Sequence, residues 1–407
     1  MTVTIEDIEL AHDRLGGIVK PTPLILSETF SRMMAAEVFI KPENLQKTGS
    51  FKIRGAYNRI ASLSAEEKLR GVIAASAGNH GQALAYAATR AGVRATVVMP
   101  ETAAIAKIAA TRNYGQTVIL EGIDYQAARA AAARICAESG AVFVDAYDDA
   151  QVVAGQGTVG LEIADELSGS RGADVVLVPV GGGGLIAGVA VALGARSPAT
   201  EVIGVEAAGA AQLSASLAAD KAASIGKPVD TIADGLATGR IGAIPYSLIR
   251  GRVRRAVTVD DFEIGAAVLL LLERMKLLAE GAGAAALAGA LKLGGELAGK
   301  RVVVVVSGGN IDINLLDRII GHGLAKMGRL YRIALTLHDR PGELNILLAQ
   351  IGKMGANVRA IDHDRTRRDI AIGGAYVSLE LETRGPEHIA AIHAHLRKAG
   401  YDITEEN

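Results

Sequence analysis

The stretch DVVLVPVGGGGLIAGVAVAL, residues 174–193, joins a β-branched apolar run to an uncharged Ala/Val-rich run through four consecutive glycines. A short continuous apolar run reads as a strand buried on both faces, and the longer run after the glycines reads as a buried helix. Successive backbone N–H groups at such a strand-to-helix turn can close on a phosphate, whose charge the helix dipole favours. The same alternation recurs along the chain. EVFIKP from Glu37, GVIAAS from Gly71, ATVVMP from Ala95, TVILEG from Thr117, AVFVDA from Ala141, EVIGVEA from Glu201 and RVVVVVS from Arg301 are strand candidates, separated by Ala-rich amphipathic segments. Strand then helix, repeated, predicts an α/β fold with buried parallel sheets, whose ligands sit in the loops beyond the carboxyl ends of strands. Taken alone, Gly182 to Ala187 also satisfies the G-x-G-x-x-A pattern, and Glu206 ends the next strand where a ribose-binding acid would stand, so a dinucleotide site competes at this point.

The 407 residues exceed what one hydrophobic core usually organises, so two or three units are expected. No segment reaches the ~18 uncharged apolar residues of a membrane span. The amino terminus, MTVTIEDIELAHDRL, lacks a basic region followed by an apolar block, so no secretory signal is expected. Cys136 is the only cysteine, which excludes an internal disulfide and predicts a cytoplasmic protein. Lys and Arg (43) balance Asp and Glu (44), and Trp is absent, so neither the charge nor the stacking surface of a nucleic-acid binder is present. A small-molecule partner is expected.

Three further motifs accompany the glycines: ENLQKTGSFKIRGAYNRI from Glu43, SAGNHGQA from Ser76 and SGGN from Ser307. The last two directly follow strand candidates. Together and in this order they resemble the threonine dehydratase (threonine ammonia-lyase) and serine racemase branch of the fold-type II pyridoxal phosphate enzymes, over about the first three quarters of the chain. The resemblance implies a tryptophan synthase β-like, two-lobed catalytic core at 1–316, with a small subdomain at 44–150 inserted into a large one made of 1–43 and 151–316. It also implies pyridoxal 5′-phosphate as cofactor. A nicotinamide site has no use for the Lys52 and Ser307 motifs, which decides against the dinucleotide.

By that resemblance Lys52 holds the cofactor covalently and moves the substrate proton, since a lysine amine loses its charge readily when desolvated. Phe51 packs near the cofactor, though an aromatic there is equally consistent with core. Gly181, Gly182, Gly183, Gly184 and Leu185 hold the phosphate. Ser76, Ala77, Gly78, Asn79 and His80 form the loop that takes the substrate carboxylate, with Asn79 also reaching the cofactor's 3′-oxygen. A helix cap is the alternative role of Asn79, and His80 reads as structural. Ser307 faces the pyridine nitrogen, where a hydroxyl, unlike an aspartate, leaves the ring a weaker electron sink and so favours elimination. Glu280 lines the substrate side, the cofactor phosphate supplies the proton to the leaving hydroxyl, and Asp234-Gly235 lies near the cofactor.

Serine racemases of this branch carry serine where this chain has Ala77, so racemisation is expected to be poor. Their divalent-cation site uses an acid aligned with Glu206 and a second where this chain has Gln212, so no metal is expected. The implied reaction is loss of water and ammonia from L-threonine to give 2-oxobutanoate, with L-serine as a further substrate. Alternatives are threo-3-hydroxyaspartate or serine dehydration, serine racemisation, and a catalytically silent amino-acid-binding regulator.

Beyond an amphipathic connector at 317–330 the pattern becomes strand, helix, strand, strand, helix, strand, the order of a ferredoxin-like unit at 331–407. The turn His338-Asp339-Arg340-Pro341-Gly342 resembles ACT domains, which implies a regulatory amino-acid site, with isoleucine or valine as the expected effector. A purely structural dimerisation role is the alternative. The family implies a homo-oligomer, tetramer or dimer. His388, His393 and His395 lack the i, i+4 spacing of a helical metal site and read as a solvated helix face. Cys136 reads as a small buried apolar residue.

Overall fold

A computed structural model describes residues 2–226 and 229–405. The chain divides into two compact units, Met1–Asp312 and Ile313–Asn407. The strands of the first unit are β1 (Ile25–Leu26), β2 (Glu37–Pro42), β3 (Val72–Ala75), β4 (Ala95–Met99), β5 (Thr117–Leu120), β6 (Val142–Phe143), β7 (Val175–Pro179), β8 (Glu201–Ala207), β9 (Arg255–Val259) and β10 (Arg301–Val306).

They form two sheets. The larger runs β1-β2-β10-β7-β8-β9 and is parallel apart from the β1–β2 pair; the smaller runs β5-β4-β3-β6 and is parallel throughout. The run of five valines in β10 explains its central place. Flanked by β2 and β7, it is covered on both faces, and every residue from Val302 to Val306 is buried. β9, with Arg255 at its start, sits at the opposite edge, where a long cation can reach solvent.

Helix Ala150–Glu166 lies between two others, Lys52–Ala61 and Gly184–Arg196, and approaches both at backbone distance. A Cβ on Gly155 would stand 2.5 Å from the Arg54 carbonyl, and one on Gly188 would stand 2.5 Å from the Gly157 nitrogen. Only glycine allows such crossings.

The second unit opens with helix Ile313–Lys326, followed by β11 (Leu330–His338), helix Glu343–Lys353, β12 (Asn357–Asp364), β13 (Gly374–Glu382), helix Pro386–Lys398 and β14 (Ile403–Glu405). Its sheet, β12-β13-β11-β14, is antiparallel throughout, the ferredoxin-like arrangement expected from the tail. Inward residues of β11 and β13, among them Ile333, Leu335, Val377 and Leu379, pack on Leu347, Ile351, Ile392 and Leu396 of the two helices.

One expectation for this unit is overturned. His388 is buried rather than solvated, because both ring nitrogens have partners: Nδ1 accepts from the Arg384 N–H at 3.1 Å, which leaves Nε2 to donate to the Met354 carbonyl at 2.8 Å. His393 pairs with the Tyr331 hydroxyl and His395 with Gln350. Spacing along the helix carried no information about hydrogen bonds made to other elements.

Candidate active site

The carboxyl ends of β3, β7 and β10 open on one cavity of about 550 Å³ in the first unit. All the residues named from sequence line it: Phe51 and Lys52, Ser76 to His80, Gly181 to Leu185, Glu280 and Ser307. Asp234 and Gly235 line it too.

Lys52 is the first residue of helix Lys52–Ala61, and its Nζ donates to the Ala146 carbonyl at 3.0 Å. Burial draws the amine down to about 8, partly offset by Asp145 and Glu280. It can therefore shed its proton near neutral pH, as a nucleophile and base must. The Phe51 ring lies 5.1 Å from the ammonium. The Phe51 N–H donates to the Ser307 carbonyl at 3.1 Å, which ties the lysine turn to the end of β10.

Gly181 to Gly184 turn β7 into helix Gly184–Arg196, whose cap, Gly183, has φ 90° and no side chain to satisfy the first amides. A Cβ on Gly182 would fall 2.2 Å from Cγ of Tyr147. The loop is thus a cradle with backbone donors and no room for side chains, at a helix start suited to an anion. Gln212 holds it from outside, donating Nε2 to the Gly181 carbonyl at 3.1 Å and to the Leu236 carbonyl at 3.0 Å.

Helix Asn79–Ala91 is capped by Gly78, again without a side-chain cap, so Asn79 is not the cap. Its amide instead donates to Glu280 Oε1 at 2.6 Å and accepts from Asn310 Nδ2 at 2.7 Å. One Asn79 amide hydrogen remains for a ligand. His80 is buried, and burial pulls it down to about 4, with Lys52 acting in the same direction, so it is neutral. Its Nε2 donates to the Val144 carbonyl at 3.0 Å. Burial pushes Glu280 up to about 6 despite the bond from Asn79. The Ser307 hydroxyl is buried beside the Ala282 carbonyl.

The arrangement fits pyridoxal phosphate. A cradle without side chains meets the phosphate, an amine that loses its proton near pH 8 stands in the same cavity, and a neutral hydroxyl lies at the end of β10. Glu206 is spoken for by the start of helix Gln212–Ala219, accepting from the Ser214 N–H at 2.9 Å and hydroxyl at 2.7 Å and from the Leu213 N–H. Among the described residues no group of three or more His, Cys, Asp or Glu could hold a metal ion.

Sequence reasoning missed Tyr147, Arg129, Lys107, Arg240 and Asn310, which also line the cavity. Tyr147 stands a few residues past β6, so the strand-end rule applied to AVFVDA would have found it. Asn310 closes the SGGN motif and bridges Asn79 to the Thr48 carbonyl, at 2.7 Å each.

Residues 16–308 match the model of the pyridoxal-phosphate dependent enzyme family. An L-threonine ammonia-lyase of Thermotoga maritima is 47% identical over 403 residues, covering 98% of this chain and 99% of the relative. Among solved structures, the processed threonine deaminase isoform 2 of Solanum lycopersicum superposes with a TM-score of 0.73 at 35% identity, over 77% of this chain and 91% of that one. The serine racemase of Dictyostelium discoideum superposes with a TM-score of 0.71 at 36% identity, over 77% of this chain and 100% of that one. With the lysine, the glycine cradle and the serine gathered in one cavity, the chain belongs to the pyridoxal-phosphate dependent enzyme family.

Proposed function

We propose that this enzyme is a threonine ammonia-lyase, which removes water and ammonia from L-threonine to give 2-oxobutanoate and also accepts L-serine. The observation that carries the reading is the depressed Lys52 amine sharing a cavity with two uncapped helix starts, one for a phosphate and one for a carboxylate. Pyridoxal phosphate, when bound, withdraws electrons from the substrate's Cα and so lowers the cost of removing its proton. The chain's own residues supply the rest.

Gly181 to Gly184 and Leu185 would hold the phosphate through their backbone N–H groups. Ser76 to Asn79, at the start of helix Asn79–Ala91, orient the substrate carboxylate. Lys52, below its ordinary range, takes the Cα proton. Ser307 would offer a neutral hydroxyl rather than a carboxylate to the ring nitrogen of the bound cofactor, which would favour loss of the β-hydroxyl. Ala77 places no acid or base on the opposite face, so a removed proton is not returned there and racemisation is slow. The relatives' names and the resemblance of the motifs support threonine as substrate.

In the second unit, the turn 338–343 with His363 and Arg365 lines a cavity of about 420 Å³, where Arg365 Nε meets both Asp339 oxygens at 2.9 Å. We assign this cavity to an amino-acid effector such as isoleucine or valine. No helix among the described residues is long and apolar enough to cross a membrane. The lone cysteine suits the reducing cytoplasm, and a homo-oligomer is the expected assembly.

The test is purified protein mixed separately with L-threonine and L-serine, following 2-oxo acid release and the bound cofactor's visible absorbance, with Lys52→Ala as control. Faster release from threonine, lost together with the visible band in the variant, supports the reading. A visible band without 2-oxo acid from either substrate overturns the activity, and absence of the band overturns the cofactor site.

A further inference from the structure

Arg54 stands two residues after Lys52 on the same helix. At 3.6 residues per turn two such positions point to roughly opposite sides. Lys52 faces the cavity, while Arg54 is fully buried behind the helix. Its guanidinium donates Nε to Glu43 Oε2 at 2.8 Å and Nη2 to Glu43 Oε1 at 2.7 Å, a fork-to-carboxylate pair. It also donates to Glu162 Oε1 at 2.5 Å, Glu162 Oε2 at 2.9 Å and Thr158 Oγ1 at 3.0 Å. Lys41, also fully buried, donates to Glu162 Oε2 at 2.6 Å. Burial works against the Arg54 charge, but Glu43 and Glu162 overcome it and hold the group protonated.

These partners lie on the elements that form the site. Glu43 follows Pro42, the last residue of β2, whose register partner Val306 directly precedes Ser307. Thr158 and Glu162 belong to helix Ala150–Glu166, which touches the lysine helix at Gly155 and the helix of the phosphate cradle at Gly157. One guanidinium therefore links the lysine helix, the end of β2, which neighbours the Ser307 strand β10, and the helix that backs the glycine loop. Stability alone is a weak reason to keep such a cluster, because well-packed apolar residues often replace buried ion pairs at no cost.

We propose that the buried Arg54–Glu43–Glu162 cluster is a positioning device of the active site, which fixes Lys52 relative to the glycine cradle and Ser307. The proposal deepens the threonine ammonia-lyase reading and rests on it. Arg54→Lys keeps the charge and loses the fork, and a lysine cannot satisfy both carboxylates in this geometry. A shift of the reacting amine by about 1 Å costs on the order of 100-fold in rate.

The experiment compares full-length, cofactor-loaded wild type and Arg54→Lys, with kcat and KM for L-threonine normalised to folded protein. The visible circular dichroism of the bound cofactor, which reads its orientation without turnover, is recorded alongside. Expected is a kcat lowered about 100-fold, a KM within about threefold of wild type, and an altered dichroic band. Should Arg54→Lys fail to fold, Glu162→Gln carries the same test, since it leaves both Glu43 oxygens on Arg54 and weakens the ties of Arg54 and Lys41 to helix Ala150–Glu166, Lys41 keeping the Thr22 carbonyl and Glu166 as partners. Wild-type kcat and an unchanged dichroic band, with only a lowered unfolding temperature, overturn the proposal. So does failure of both variants to fold, which would assign the cluster to folding alone. A wild type that binds cofactor yet releases no 2-oxo acid sinks the functional reading instead, and the dichroic comparison then decides the positioning on its own.

Discussion

Substitution of Gly182 by alanine tests whether the cradle is shaped by sterics. The added Cβ would sit 2.2 Å from Tyr147 Cγ and 2.4 Å from both Cδ atoms. Carbon atoms settle at roughly 3.6 Å, so ring or loop must give by about 1.4 Å. The ring has little freedom. Tyr147 is buried, its N–H donates to Asp145 Oδ1 at 3.1 Å, and Arg240 Nε donates to its hydroxyl at 3.4 Å. Gly182 is no better placed to yield, since its carbonyl accepts from the Gly242 N–H at 3.0 Å. Overpacking of this kind costs about 1–3 kcal/mol, and loop displacement of about 1 Å near reacting atoms costs about 100-fold in turnover. Gly182→Ala should therefore bind pyridoxal phosphate weakly, by titration of the visible band, and release 2-oxobutanoate about 100-fold more slowly. In a Tyr147→Ala background the clash partner is gone, and the same glycine substitution should then cost little. Equal losses in both backgrounds, or none in the wild-type background, would refute the steric account.

Three further outcomes follow from burial and charge. In protein stripped of cofactor, Lys52→Met should stabilise the fold by about 2 kcal/mol at pH 7, after discounting for water in the cavity. The folded amine titrates near 8 against 10.5 in the unfolded chain, so the folded state holds fewer protons between those values. Wild-type stability accordingly rises with pH across that window and the gain from Met vanishes above it, as denaturant melts at pH 7 and 11 would show. Glu280 has the opposite sign. Its carboxyl is pushed up to about 6 from 4.5, so the folded state holds more protons in that window, and wild type should lose about 1–2 kcal/mol relative to Glu280→Gln as pH rises through it. His388→Ala strands the Met354 carbonyl and the Arg384 N–H, and should lower the stability of the second unit by about 2–3 kcal/mol in thermal melts, with first-unit turnover at saturating threonine unchanged.

Much of this architecture is written in local pattern. β2 and β8 coincide with EVFIKP and EVIGVEA because both are apolar runs bounded by turns, and the tail's strands alternate strongly enough to give their order. β9 is absent from the strand candidates because RAVTV is short and opens on Arg255, directly after Arg254. At a sheet edge those cations reach water while Val257 and Val259 remain buried. β1 is two residues long and owes its existence to pairing with β2. The site divides the same way. Lys52, the glycines and Ser307 lie in short motifs, whereas the partners that set their chemistry are distant in sequence: Ala146 for Lys52, Glu280 for Asn79, Gln212 for Gly181. Only the fold reveals them.

The helix starts of the first unit differ in how they are capped. Helices opening after Thr4, Ser27, Ser64, Asp124, Asp149 and Asp260 are capped by those side chains, three of them through full capping boxes. Four helices whose first turns line the cavity, those after Phe51, Gly78, Gly183 and Glu280, have no side-chain cap, whereas helix Tyr125–Ser139, whose Tyr125 and Gln126 also line it, is capped by Asp124. A cap contributes roughly 1 kcal/mol, so leaving four starts bare costs about 4 kcal/mol of the stability the fold could have had. Glu280 makes the point most sharply, since an acid at an N-cap would ordinarily turn back onto its own helix. It reaches instead to Asn79, at the start of another helix, where its carboxylate lies 2.6 Å from the amide. The helix starts after Gly78 and Gly183 keep first-turn amides that no side-chain cap occupies, and such amides are what a carboxylate and a phosphate require.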